Sequence, residues 1–229
     1  MSADLIILVP SRGRPASVAR LIAACQETCQ ARTALFFAFD NDDPWLGKYM
    51  HEMSEAPFST AYIVGPRDTL AGWTNAMARM AVSEAGALAS LGDDHVPLTP
   101  GWDKLLLDAI TDHGGTGIAY GNDLLQGQNL PTAPVISANV AAALGWFCEP
   151  SLAHMYVDNV WRDLGQGAGC LHYVPEVVIE HRHPQASKAG HDATYAGSES
   201  RMGQDGVAYQ QWCRERREQD VGKVRALLS

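Results

Sequence analysis

Asp93, Asp94 and His95 follow one another at the end of the apolar run Ala87-Leu-Ala-Ser-Leu-Gly92, and a Pro100-Gly101-Trp102 turn comes shortly after. A second acidic cluster, Asp40, Asn41, Asp42 and Asp43, ends the run Thr33-Ala-Leu-Phe-Phe-Ala-Phe. Carboxylates packed this closely repel one another and raise each other's pKa unless a cation joins them. Oxygen-rich sites suit Mg²⁺ or Mn²⁺, and an imidazole such as His95 among the ligands favours Mn²⁺. Arg12 and Arg14, after a first apolar run, add positive charge suited to phosphate. A divalent ion beside arginines is chemistry that grips a diphosphate.

The elements that must position these groups follow from periodicity. Leu5–Pro10, Thr33–Asp40, Thr60–Gly65, Ala87–Asp94 and the run around Gly115–Gly121 are short apolar stretches ended by turn residues, and they read as buried strands. Between them, residues 14–29, 44–53, 70–86 and 100–113 carry apolar positions at helical spacing. Regular alternation of strand and helix up to about Tyr120 predicts an α/β fold, a mostly parallel sheet with helices on both faces. Beyond it the pattern becomes mixed: strands at 133–139 and 170–184, one helix at 155–167, an aperiodic Gly- and Ser-rich loop at 185–203, and a single charged helix closing the chain. We expect one domain over 1–229, with a ligand-binding half (1–120) and a second half (121–229). In such sheets ligands bind outside the carboxyl ends of the strands, which is where the charged clusters fall.

The 229 residues carry a net charge of −9, which argues against a general nucleic-acid binder, since phosphate neutralisation needs a basic surplus. The basic stretch Arg214–Arg225 is interleaved with Glu and Asp and reads as a solvated helix that offers at most a local phosphate contact. Five cysteines without metal-finger spacing read as reduced thiols. No apolar run approaches a membrane span and no signal peptide is legible, so a cytoplasmic protein without membrane contact is expected. Neither a P-loop nor a G-x-G-x-x-G fingerprint is present.

Taken in order, the Val9-Pro-Ser-Arg-Gly-Arg-Pro15 strand end, the strand ending in Asp40, the Gly72-Trp-Thr-Asn-Ala-Met77 helix and Gly92-Asp-Asp-His95 resemble the GT-A, Rossmann-like fold of glycosyltransferases, of the family-2 type and its small phage-encoded relatives. The likeness covers most of the first 150 residues. It implies that Pro10, Ser11 and Arg12 line a nucleotide pocket with Arg14 close by, that Asp40 accepts a hydrogen bond from base or ribose, and that Asn75 contacts the nucleotide. It matches Asp93 and His95 to the ends of the family's Asp-x-Asp metal motif; because the usual last Asp is a His, Asp94 and His95 remain alternatives for the ion. It makes Asp158, at a helix start, the general base, alone where the family has Glu-Asp. His181 and His183, on one face of a strand, become candidate late metal ligands.

The implied reaction is metal-dependent transfer of a sugar from a nucleotide-sugar donor to an acceptor hydroxyl with inversion, using Mn²⁺ or Mg²⁺. The acceptor is a hydroxymethylated pyrimidine in phage DNA, in a host cytoplasm, or a polysaccharide. The resemblance implies further that residues 1–120 form the nucleotide-sugar-binding half and 121–229 the acceptor-binding half, that loop 185–203 folds over the donor, and that one of Trp73, Trp102, Trp146 and Trp161 stacks on a sugar or base. Two other readings compete. A sugar-phosphate nucleotidyltransferase would want a Gly-rich loop with a Lys after the first strand, which is absent. A non-catalytic sugar- or nucleic-acid-binding module on a degenerate fold fits the His95 replacement, but not the retention of Asp40, Asp93, Asp94 and Asp158.

Overall fold

The computed structural model describes residues 3–182 and 201–228. His183 and most of the expected loop at 185–203 lie outside them. The first half runs β1 (Ala3–Ser11), α1 (Pro15–Thr28), β2 (Thr33–Asp40), α2 (Leu46–Ser54), β3 (Thr60–Gly65), α3 (Leu70–Ala81), β4 (Ala85–Ser90), β5 (His95–Pro97), α4 (Trp102–Thr111) and β6 (Ile118–Asn122). A 3₁₀ turn (Gly127–Asn129) follows, then β7 (Val135–Ser137), α5 (Ala138–Leu144), α6 (Val157–Ala168), β8 (Leu171–His181), α7 (Met202–Glu215) and α8 (Arg217–Arg225).

Among the described residues, eight strands form a sheet in the order β3-β2-β1-β4-β7-β6-β8-β5. The pairs β3-β2, β2-β1, β1-β4 and β6-β8 are parallel; β7 and β5 run antiparallel to their neighbours. Period-two burial explains the layers. Leu5, Ile7 and Val9 with Leu35, Phe37 and Phe39 face α1, α2 and α4, while Leu8, Ala38, Leu88 and Ile118 face α3, α5, α6, α7 and α8. The chain adds β2 and β3 on one side of β1 through α1 and α2, then returns through α3 to lay β4 on the other side. Between β1 and β4 the winding direction reverses, which opens a crevice at their carboxyl ends.

Three expectations change. The regular alternation up to Tyr120 predicts parallel strands there, but the short antiparallel β7 lies between β4 and β6. Two helices, not one, precede β8: the Ala-rich α5 ends on Gly145, whose φ of 78° is the left-handed stop that glycine adopts readily. The closing helix starts at Met202, inside the expected loop, and breaks at Arg216, where φ is −129°. Trp212 Nε1 donates to Asp220 Oδ2 across that break at 3.0 Å, and the Arg216 guanidinium pairs with the buried Glu149. All five cysteines are free thiols, and no helix among the described residues is long and apolar enough to cross a membrane.

Candidate active site

The β1–α1 loop and the residues after β4 meet at the crevice. Ser11 Oγ donates to Asp93 Oδ2 at 2.5 Å, and Arg14 Nη1 reaches Asp93 Oδ1 at 3.2 Å and Asp94 Oδ2 at 3.9 Å. Burial pushes the Asp93 carboxyl up to about 6; Arg14 and the Ser11 hydroxyl oppose that shift and the Asp94 charge adds to it. Tyr49 of α2 braces the loop from below: its hydroxyl accepts the Arg14 backbone N–H at 2.7 Å and hydrogen-bonds Ser11 Oγ at 3.1 Å.

Asp94 and His95 turn the other way, toward the end of β8. Antiparallel pairing of β5 with β8 sets His95 opposite His181, and their rings stack with centroids 4.3 Å apart. Asp94 Oδ1 lies 3.5 Å from His95 Nδ1, and Asp94 Oδ2 lies 3.5 Å from His181 Nε2. Burial, then the neighbouring His181, pushes His95 down to about 4, so its ring is neutral at pH 7. Its Nδ1 accepts the Gly92 N–H at 2.9 Å, while its buried Nε2 has no hydrogen-bond partner among the described residues. Behind His181 stands Asp123, with Oδ2 3.9 Å from His181 Nδ1. Burial raises the Asp123 pKa, but the Leu125, Gln126 and Gly127 amides and the Thr132 hydroxyl outweigh it and hold this carboxyl below its ordinary value.

Ligand atoms of Asp94, His95 and His181 lie within 4.8 Å of one another. One carboxylate and two imidazoles are a donor set for Mn²⁺ and similar ions, and the partnerless Nε2 of His95 shows that the protein alone does not satisfy the cluster. The residues fit a divalent ion. Asp93, expected as a metal ligand, turns its two oxygens to Ser11 and Arg14, while Asp94 and His95, given as alternatives, both lie in the cluster with His181.

A polar wall lies on the β2 side. Arg12 Nη1 donates to Asp40 Oδ2 at 2.9 Å and to Asp42 Oδ1 at 2.5 Å. Asp40 Oδ1 accepts from Trp73 Nε1 at 2.7 Å and from the Asp68 amide at 3.2 Å. Trp73 is half-buried against Gly65, so of the four candidate tryptophans it is the one at this wall; Trp102 and Trp161 are core, and Trp146 lies on the α5 side. Pro10 sits in β1 directly before Ser11. Asn75 is not brought to this wall. Its amide donates to Cys148 O and accepts from the Phe147 and Cys148 amides, tying α3 to the segment after α5.

Asp158 lies in the first turn of α6, where its Oδ1 accepts the Asn159 amide at 2.9 Å. Burial raises its pKa, while the charges of His181 and Arg162 act on it from the cluster side and from the next turn. The helix enters through Tyr156, a non-glycine residue at φ 67°, held by stacking on Tyr209 at 5.3 Å. Backbone held in this region costs of order 1–3 kcal/mol and persists where surrounding structure enforces it. Three participants escape sequence reasoning: Tyr49, which reads as a core aromatic; Asp123, hidden in a turn; and His154, which reads as ordinary although the charges of Asp94 and Arg14 reach it.

No family model matches the chain, and no curated protein matches it in sequence. Solved structures do. S. aureus TarS 1–349 in complex with UDP-GlcNAc superposes with a TM-score of 0.62 at 9% identity, over 82% of this chain and 62% of that one. The mannosyltransferase PcManGT from Pyrobaculum calidifontis, in complex with GDP-Man and Mn²⁺, gives 0.57 at 9% identity over 99% of this chain and 74% of that one. A mycobacterial protein gives 0.56 at 11% identity over 89% and 75%. The chain spans under two thirds of the TarS chains it matches, and 36% of the longer one. The overall architecture is therefore a GT-A-type glycosyltransferase fold, shared with these structures at the level of the fold.

Proposed function

We propose that the protein is a metal-dependent glycosyltransferase that moves a sugar from a nucleotide-sugar donor to an acceptor hydroxyl with inversion. One observation carries the reading: a cation-ready cluster, Asp94, His95 and His181, adjoins Arg14 at the sheet's reversal point, and a half-buried carboxylate, Asp158 on α6, feels the charge of His181. The sugar nucleotides bound to structures of the same fold support it.

In this reading Arg12, Asp40 and Trp73 hold the base and ribose, and Ser11 and Asp93 keep Arg14 aimed at the diphosphate. Asp94, His95 and His181 would hold the divalent ion; when bound, it neutralises charge that develops on the leaving diphosphate. Asp158 takes the proton from the acceptor hydroxyl as that oxygen bonds the anomeric carbon. The bond from that carbon to the diphosphate oxygen breaks at the same time, and its electron pair leaves with the diphosphate. Attack from the face opposite the leaving group inverts the centre. His183, and the loop expected to cover the donor, lie outside the described residues.

The test is release of nucleoside diphosphate from a panel of uridine, guanosine and other nucleotide sugars, with and without Mn²⁺. The expected result is release from one donor class, dependent on the ion and lost in Asp94→Ala. Calorimetry showing that no nucleotide binds under saturating Mn²⁺ would sink the proposal.

A further inference from the structure

α6, the start of β8 and the 3₁₀ turn line an open groove of about 810 Å³. We infer that this groove is the acceptor subsite and that it takes a neutral oligosaccharide chain; the inference rests on the transferase reading above. Tyr120 and Tyr173 are direct partners on β6 and β8, with ring centroids 5.2 Å apart and planes tilted by 46°. Their roles differ. Tyr120 is buried and its hydroxyl donates to Gln128 O at 2.7 Å, which braces the turn, whereas Tyr173 is half-exposed and presents its ring to the groove. An exposed tyrosine ring offers the flat apolar face that the C–H face of a pyranose covers.

The rest of the lining has matching chemistry. Gln128, Asn129 and Gln166 are exposed amides, each able to donate and to accept, as sugar hydroxyls require. Among the described residues Arg162 is the one cation lining the groove, and its Nε and Nη2 already donate to Asp163 Oδ1 at 3.1 and 2.8 Å. A phosphodiester backbone is gripped by several cations. This lining has none to spare, and the chain's net charge of −9 repels a polyanion further.

Position links the groove to the reacting centre. Arg162 lies four residues after Asp158 on α6, a rise of about 6 Å, and its charge acts on Asp158. Asp123, whose carboxylate caps the turn bearing Gln128 and Asn129, is the group that stands 3.9 Å behind His181. A saccharide lying on Tyr173 thus has a path along α6 that ends at the proposed base.

The test uses binding, read separately from transfer. The full chain with Mn²⁺ and UDP or GDP is titrated with tetrasaccharides of N-acetylglucosamine, glucose and mannose, and with a DNA duplex containing hydroxymethylcytosine, by ligand-observed NMR. At least one tetrasaccharide is expected to bind. Tyr173→Ala should weaken that binding at least tenfold and Gln128→Ala several-fold, with Tyr173→Phe close to the parent and nucleotide affinity equal in all four. Binding of the duplex in preference to every saccharide, binding of none of the probes, or saccharide binding indifferent to both Tyr173→Ala and Gln128→Ala would overturn the assignment. Nucleotide affinity separates the two readings. Saccharide binding that depends on Tyr173 in a chain that binds no nucleotide keeps the groove and removes the transferase. Nucleotide binding without saccharide binding does the reverse.

Discussion

Gly92 is where the proposed metal site is most exposed to a single methyl group. A Cβ there would stand 2.4 Å from Asp94 Oδ1 and 3.0 Å from His95 Nδ1, so the two side chains can fold back over the backbone only because glycine precedes them. In Gly92→Ala the Asp94 carboxylate swings away, which the fold tolerates and the cluster does not. Mn²⁺ affinity in the presence of nucleotide should fall roughly 10–100-fold, as when a supporting group of a metal site is lost, with little change in melting temperature; unchanged affinity by calorimetry would remove Asp94 from the ligand set. At Asp158 the raised pKa makes function and stability oppose each other. The base acts ionised, so the transfer rate should fall on acidification through a pKa above the ordinary aspartate value of about 3.9. Stability runs the other way: the fold binds this proton more tightly than the unfolded chain does, so the ionised group costs stability above its folded pKa, and the cost vanishes below its unfolded one. Asp158→Asn should therefore lose about 10²–10⁴-fold in transfer and still melt above the parent at pH 7.5, with the gap closing toward pH 4. A mutant that melts below the parent at pH 7.5 would contradict the burial argument.

Elements deliver these side chains through pinned loops, and Asp205 is the pin with the longest reach. Buried in the first turn of α7, it accepts the amides of Ala153, His154 and Met155 at 3.0, 2.9 and 2.7 Å and so fixes the segment that leads into α6 and Asp158. Asp205→Ala strands three amides at once and should cost roughly 2–5 kcal/mol, or about 5–15 °C in melting temperature for a chain of this size; Asp205→Asn, which keeps one oxygen, should fall between. A differential scan showing no loss in Asp205→Ala would refute the pinning. Such pins explain what the sequence could not say. Strands and helices through β4 were legible because their apolar periods are uninterrupted, and Asp94, His95 and His181 were legible because reactive types ended those strands. The break at Arg216 was not, since it depends on Trp212 meeting Asp220 and Arg216 meeting the distant Glu149. Asp93 and Asp94, adjacent and chemically identical, differ only in which loop each faces, and that is settled by Ser11 and Arg14 on one side and β8 on the other.

At the scale of the molecule, the reversal between β1 and β4 is what makes a ligand a stabiliser of the whole fold. On the proposed function, a nucleotide gripped by Arg12, Arg14 and Asp40 on one side of the crevice and by an ion on Asp94, His95 and His181 on the other would span β1, β2, the β4–β5 turn and β8 and so tie both halves of the sheet. Binding restricted to the native state adds RT ln(1 + [L]/Kd), about 2.7 kcal/mol at a hundredfold excess over Kd. For a chain of this length that corresponds to a rise of about 5–10 °C in melting temperature. The rise should require nucleoside diphosphate and Mn²⁺ together, because the ion supplies the charge that lets a diphosphate approach a molecule of net charge −9 whose crevice carboxylates otherwise repel it. Gly92→Ala should cut the joint effect to about half or less, since a 10–100-fold weaker site at the same ligand concentration retains about 0.4–1.4 kcal/mol of it, and leave the baseline melting temperature in place. A shift of the same size with Mn²⁺ alone would mean that the cluster holds a structural ion and that the nucleotide site lies elsewhere. A nucleotide shift indifferent to Mn²⁺ would instead place the diphosphate on Arg12 and Arg14 without the cluster, and Asp94, His95 and His181 would need another role.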